Sequence, residues 1–290
     1  MTTAILASRL QSPVTYQGGK SRLANEIVAR IMPDVSKVSR FYDVCCGTGA
    51  VTLAAIERGL DPLRITMIDV GLWGDFWSLV GCGTLDMEAL RRVIVAVPTD
   101  PREIKDHAEY LFRCAPDVQT SVHEFLVLQA AAIGGAPIWI DKGRWVRHSG
   151  FRDYWMPTAT SSRRSPVNPM MPMPNTILSR VSAVVRRALG VRVLTTDVRR
   201  ALAVEDGAVV YIDPPYRDTT GYGFLGFDVE DVACRMSANA TVHVSETKPL
   251  TSVSHQLSVG RAKGGMTGNR RCRANEEWLS TFPATPEVAP

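Results

Sequence analysis

The chain has 290 residues, 45% hydrophobic and 21% charged, with 22 glycines and 18 prolines. That length allows one large domain or two modest ones, and the composition excludes collagen-like, low-complexity and wholly disordered chains. The net charge is +4, unremarkable in sum but unevenly spread.

The longest apolar stretch, residues 125–140, is broken by Gln129, Gly134, Gly135 and Pro137, so no bilayer span is expected. Residues 1–11 show no basic segment followed by an apolar run, so no signal peptide is expected, and the expected location is the cytoplasm. Cys45 and Cys46 are adjacent, the other cysteines are scattered, and no C-x-x-C occurs. The pattern supports neither a zinc site nor a disulfide framework; reduced thiols and no metal are expected.

In chain order, residues 23–31 predict a short amphipathic helix. Residues 41–44 (FYDV) predict a buried strand ended by Gly47 and Gly49, and residues 50–58 a helix closed by Gly59. A second strand follows at 65–70. Strand, glycine turn, helix, strand is a βαβ unit, which requires a parallel sheet and a right-handed crossover. From 84 to 133 three helical runs follow, the second with Pro101 at its first helical position. Residues 134–175 lack a steady period. Helix resumes at 176–189, and strands follow at 191–195, 208–212 and 240–244. The expected architecture is an α/β fold interrupted by a helical and basic insertion, ending in a frayed tail at 281–290.

Two basic islands stand on an otherwise acidic body. Residues 139–175 carry net +4 and residues 261–275 net +5, leaving −5 for the rest. The first island interleaves Trp139, Trp145, Phe151, Tyr154 and Trp155 with Arg144, Arg147, Arg152, Arg163 and Arg164. Cations between aromatics suit phosphate contact with base stacking, although solvated loops of the same composition exist.

Three motifs carry chemistry. Gly47-Thr48-Gly49 ends the first strand, and Asp69 ends the second, where a carboxylate can accept hydrogen bonds from ribose hydroxyls. The third glycine of a dinucleotide fingerprint would fall at Thr52, so that fingerprint is incomplete, and a lone G-x-G is also an ordinary tight turn. Asp213-Pro214-Pro215-Tyr216 follows the apolar run AVVYI. Its prolines stiffen a strand terminus, its carboxylate and carbonyls form an acceptor-only cluster suited to an amine, and Tyr216 offers a flat face for a base. A structural strand-to-loop turn is the alternative. Tyr16-Gln17-Gly18-Gly19-Lys20 precedes the first helix and, alone, reads as an anion-binding loop.

The order of these motifs, Y-Q-G-G-K, D-x-x-x-G-x-G-A-V, I-D and D-P-P-Y, resembles the Dam-type (α-class) DNA adenine-N6 methyltransferases, including phage-encoded ones. The resemblance covers roughly residues 13–75 and 175–250. It implies a Rossmann-like class I S-adenosylmethionine-dependent methyltransferase sheet, formed by residues 12–75 and 176–280, with a target-recognition insertion at 76–175. It further implies S-adenosylmethionine as cofactor, held by Tyr16, Lys20, Asp43, Gly47, Gly49, Asp69, Asp197 and Asp213. Asp213, Pro214, Pro215 and Tyr216 would be catalytic, and the five arginines would contact double-stranded DNA. The target adenine would flip out of the duplex, and the loop from Arg217 to Asp228 would form a flap over it. A monomer is expected, in a host's cytoplasm if phage-encoded. The family's usual aromatic residue before the first glycine is Cys46 here, and its usual proline is Val44. The alternatives are a cytosine-N4 methyltransferase, which usually carries Ser in place of Asp213, and an inactive DNA-binding module retaining the fold.

Overall fold

The computed structural model describes residues 9–117, 119–215, 226–261 and 274–285. The first helix, α1 (Ala24–Ile31), buries Ala24, Ile27, Val28 and Ile31, one stripe at helical spacing. Strand β1 (Phe41–Val44) is buried throughout, as a central strand covered on both faces must be. Then follow α2 (Ala50–Glu57), β2 (Ile65–Asp69) and α3 (Gly71–Gly81). Helix α3 crosses the expected boundary at 75/76 and packs against β2.

The helical run contains α4 (Met87–Ala96), capped by Asp86, then α5 (Ile104–Arg113) and α6 (Ser121–Ala131). Pro101 lies in a turn ahead of α5 rather than at its first position. Within the aperiodic segment, β3 (Ile138–Asp141) and β4 (Arg144–Arg147) form a hairpin. Its turn residues Lys142 and Gly143 both have positive φ, 48° and 72°, as a type I′ turn requires. Helix α7 (Pro174–Arg187) opens on a proline, where a missing N–H costs nothing. The chain ends through β5 (Arg192–Thr195), β6 (Val209–Ile212), α8 (Val229–Met236), β7 (Thr241–Glu246), β8 (Ser254–Arg261) and β9 (Ala274–Phe282). The segment expected as a tail thus begins inside β9, and residues 286–290 lie outside the described residues.

Seven strands form one sheet in the order β5-β2-β1-β6-β7-β9-β8. The first five are parallel, and β9 runs antiparallel to both of its neighbours. This is the expected α/β fold with its parallel βαβ start. Side chains alternate across the sheet. Phe41, Ile65, Met67 and Tyr211 point into a core shared with α1 to α7, while Tyr42, Val44, Ile68, Val210 and Ile212 point into a second core under α8. The chain works outward from β1 to β2 and β5, then returns to β6 on the other side of β1. The switch point between β1 and β6 leaves a crevice at the strands' carboxyl ends.

The turn into α2 is held by contacts from other elements. Gly49 is its N-cap at φ +67°, and having no side chain it cannot cap the helix. Asp43 of β1 does so instead: its Oδ2 accepts from the Thr52 backbone N at 3.1 Å and from Thr52 Oγ1 at 2.6 Å. Burial pushes the Asp43 carboxyl up to about 7, against the pull of those hydrogen bonds. Trp77 of α3 lies over Gly49, and its Nε1 donates to the Gly47 carbonyl at 2.9 Å. A Cβ on Gly49 would sit 2.2 Å from the Trp77 ring.

Two outcomes are expected. Gly49→Ala combines left-handed strain with displacement of Trp77 and should lower stability by about 2–4 kcal/mol, seen as a lower urea midpoint. A carboxyl raised from 3.8 to about 7 in the folded state contributes stability that is complete below the unfolded value and lost as pH rises through about 7. The wild-type melting temperature should therefore fall between about pH 4 and 7, and Asp43→Asn should narrow that fall by roughly 5 °C in calorimetry. An unchanged fall would remove Asp43 from the account.

Candidate active site

Strand register sets the site. Val44 is opposite Ile68 on one side and Ile212 on the other, so Cys45, Asp69 and Asp213 emerge level with one another. Cys45 N donates to Ile68 O at 2.7 Å and Asp213 N to Val44 O at 3.1 Å, carrying the ladder one residue past the strands. The turn then passes through positive φ at Cys45 (57°) and Gly47 (48°). Asp69 steadies it: Oδ2 accepts from Gly47 N at 2.6 Å and Oδ1 from Val70 N at 2.7 Å. With Trp77 holding the Gly47 carbonyl, the peptide groups on both sides of Gly47 are fixed. Burial raises the Asp69 carboxyl to about 6 despite its backbone donors. The Cys45 and Cys46 thiols are pushed well up, by burial first and then by Asp69, so neither is a thiolate nucleophile at neutral pH.

Across the crevice stands the segment before α1. Gly19 N donates to Tyr16 O at 3.1 Å, closing a turn, and Lys20 O accepts from Leu23 N and Ala24 N, starting the helix. The Tyr16 ring lies beside Gly47 and meets Trp73 edge-on at 5.6 Å. Lys20, 5% exposed, reaches over the sheet end: its Nζ is 2.6 Å from Asp213 Oδ1, 3.0 Å from Gly18 O and 3.5 Å from Glu277 Oε1. Burial alone would lower the Lys20 pKa, but Asp213 and Glu277 outweigh it and the ammonium holds its proton above the usual range. Burial raises the Asp213 carboxyl to about 6, with Lys20 opposing and Glu277 and Glu246 adding to the rise. Pro214 is buried and Pro215 exposed; Tyr216 and residues 217–225 of the expected flap lie outside the described residues.

These groups share one cavity of about 1310 Å³. Its wall includes Tyr16, Lys20, Asp43, Gly47, Asp69, Asp197 and the Asp213–Pro215 corner, so the structure brings these sequence-derived candidates together. Gly49 stands apart, beneath Trp77. Asp197 is ion-paired with Arg199, which holds its carboxyl down at about 2. The insertion reaches the same cavity through Ile138 and Trp139.

The five arginines divide. Arg144, Arg163 and Arg164 are exposed. Arg147 is built into the insertion, bonded to Glu109 at 3.0 Å and stacked over Phe112 and Phe151 at 4.3 and 4.5 Å. Arg152 is pinned to the Ala132 carbonyl at 3.2 Å. The second basic island lies outside the described residues except at its ends. Glu277, Glu246, Trp73 and Trp77 had no motif to mark them. Glu277 and Trp77 earn their places through elements, β9 and α3, that hydrophobic periodicity does not reveal.

Among the described residues, no group of three or more His, Cys, Asp or Glu side chains could hold a metal ion, and no helix is long and apolar enough to cross a membrane. No curated protein matches the chain. Residues 16–70 match the family model of the D12 class N6 adenine-specific DNA methyltransferases, a segment that holds Tyr16, Lys20, Asp43, Gly47 and Asp69.

Proposed function

We propose that this protein transfers a methyl group from S-adenosylmethionine to the N6 amine of adenine in double-stranded DNA, acting as a monomer. The observation that carries the reading is the Lys20–Asp213 contact at 2.6 Å. It joins the amino-terminal motif to the D-P-P corner at the rim where Gly47 and Asp69 also stand.

The site suits the cofactor on its own chemistry. Pockets for a single drug-sized ligand measure about 300–1,000 Å³, so a cavity of about 1310 Å³ has room for a nucleoside cofactor and a purine side by side. Trp73 on its wall carries a buried Nε1 donor with no hydrogen-bond partner among the described residues, and Asp69 presents a carboxylate at the end of β2. Asp69 would accept from ribose hydroxyls, Gly47 would allow close approach of the methionine moiety, Tyr16 and Lys20 would flank it, and Asp197 would lie towards the adenine. S-adenosylmethionine supplies a methyl group activated on a sulfonium, so no metal is needed to polarise it.

An exocyclic amine is a weak nucleophile because its lone pair is delocalised into the ring. Lys20 fixes Asp213 through Oδ1, and the other oxygen, with the Pro214 carbonyl, accepts the two amine hydrogens. Those bonds draw the nitrogen towards tetrahedral geometry and stabilise the positive charge that grows on it. Transfer would form the N–C bond from the nitrogen lone pair, and the electron pair of the cofactor's C–S bond would return to sulfur. The surplus N6 proton passes to Asp213, whose pKa of about 6 lets it go on to water at neutral pH. A base inside a duplex cannot reach this rim, so the target adenine is extruded and Tyr216 supplies the stacking face. Residues 12–81, taking in all of α3, and residues 176–280 form the transferase part, and residues 82–175 place the DNA. Arg144, Arg163 and Arg164 contact it, while Arg147 and Arg152 hold the insertion in shape.

Labelled S-adenosylmethionine and unmodified plasmid, followed by nucleoside analysis, test the reading: N6-methyladenine is expected, and N4-methylcytosine would redirect it. Asp213→Ala should lower methyl transfer by roughly 10²–10³ or more with duplex affinity kept. An Asp213→Ala protein that methylates within about tenfold of the wild-type rate would refute the assignment. Because the acceptor must be ionised, the wild-type single-turnover rate should fall as pH drops through about 6. Replacing Arg163 and Arg164 together by Ala should reduce the slope of log affinity against log salt by about 2, at roughly 0.9 per phosphate contact. An unchanged slope would place the DNA elsewhere.

A further inference from the structure

We propose that Gln129, a residue of the insertion, is a positioning residue of the cofactor side of the site. Its buried amide fixes where Tyr16 stands and where Trp139 enters the wall, so the insertion sets cofactor affinity before any DNA binds. The identity of the cofactor rests on the methyl-transfer reading; the geometry stands independently of it.

Gln129 lies on α6 with none of its surface exposed. Its Nε2 donates to the Gly135 and Ala136 carbonyls, each at 3.0 Å, and its Oε1 accepts from Ile138 N at 3.2 Å. Two carbonyls and one N–H around a single amide allow it one orientation only. All three partners are backbone groups of the turn between α6 and β3, where Gly134 and Gly135 have φ of +68° and +71°. The side chain thus satisfies backbone groups for which that turn makes no ladder of its own.

The same turn meets Tyr16 from one side. The Gly135 carbonyl held by Gln129 also accepts from Gln17 N at 2.9 Å. A Cβ on Gly135 would lie 3.1 Å from Thr15 O and 3.2 Å from Gln17 N, so a glycine there lets the two backbones touch. On the other side Thr15 N donates to Met171 O at 3.1 Å, and Met171 N donates to the carbonyl of Ala130, the neighbour of Gln129, at 2.9 Å. Tyr16 is therefore bracketed by two backbone hydrogen bonds that both lead to the last turn of α6. Its ring lies beside Gly47, and Ile138 and Trp139, at the far end of the Gln129 turn, line the same cavity. One amide places both parts of that wall.

Gln129→Met keeps the length and removes the three bonds, and Gln129→Glu keeps the shape while making the donor depend on pH. Protonated, the new carboxyl donates to one carbonyl and accepts from Ile138 N; ionised, it faces two carbonyl oxygens with nothing to donate, and burial raises its pKa. Two measurements apply to each variant: calorimetric titration with S-adenosylhomocysteine in the absence of DNA, and hydrogen exchange at Gln17 N, with amides of β1 and β6 reporting on the whole fold. For Gln129→Met, affinity should fall roughly tenfold, and Gln17 protection by about the same factor beyond any change in β1 and β6. For Gln129→Glu, the ratio of its Kd to the wild-type Kd should stay within about threefold near pH 5.5 and climb to about tenfold near pH 8.5. Taking the ratio removes the titration of Asp69 and Asp213, which both proteins share. A ratio flat across that range would overturn the proposal, as would affinity lost only in step with protection in β1 and β6. A wild-type protein that binds no S-adenosylhomocysteine would sink the transferase reading and the cofactor role with it, while Gln17 protection lost in Gln129→Met would leave the bracket around Tyr16 standing.

Discussion

The level ending of β1, β2 and β6 is the constraint on which the site depends. Val44 faces Ile68 and Ile212 at one height, and the ladder runs on through Cys45 N and Asp213 N. Because side chains alternate every residue, a slip of one position in β6 would turn Asp213 to the opposite face and put a valine-class side chain at the rim. The two cores resist such a slip. Phe41, Met67 and Tyr211 fit one face and Val44, Ile68 and Ile212 the other, each worth about 1.5–3 kcal/mol of burial. Packing far from the crevice thus fixes where the Asp69 and Asp213 carboxylates emerge.

The insertion is fastened to this rim as firmly as the sheet is. Gln129, fully buried on α6, donates to the Gly135 and Ala136 carbonyls at 3.0 Å and accepts from Ile138 N at 3.2 Å. The turn it shapes receives Gln17 N on the Gly135 carbonyl at 2.9 Å, and Thr15 N donates to Met171 O at 3.1 Å. A Cβ on Gly135 would press on the backbone of residues 15–17 at 3.1–3.2 Å. The segment that delivers Lys20 is therefore clamped by the part of the chain expected to read DNA.

Much of this was legible in the sequence because it is local. The stripe of α1, the FYDV strand with its glycine turn, and the runs ending at Asp69 and Asp213 are patterns of neighbouring residues, and order along the chain sufficed to connect them. What stayed hidden depends on distance or on missing periodicity. Helix α3 (GLWGDFWSLVG) carries three glycines and is apolar almost all round, so no stripe marks it, yet it supplies Trp77. The IWIDKGRWVR hairpin hides its alternation among charges, and its Lys-Gly turn is not the Asn-Gly signal that announces type I′. Glu277 meets Lys20 from the other end of the chain. Arg147 and Arg152 look like free cations in a basic island, and only tertiary contacts with Phe112, Phe151 and Ala132 reveal them as scaffold.

The crowding of acids at the rim has a physical logic. Asp43, Asp69 and Asp213 all sit above their ordinary pKa because burial strips them of water, and Lys20 is the cation among them. A fold selected for stability alone would not assemble such a cluster, since each ionised carboxylate there is under-solvated and repelled by the others. The arrangement becomes favourable when positive charge enters, because a cation in the crevice lowers every one of those pKa values together and recovers the cost in a single binding step. A cationic ligand in the crevice would therefore be favoured over a neutral one of equal shape.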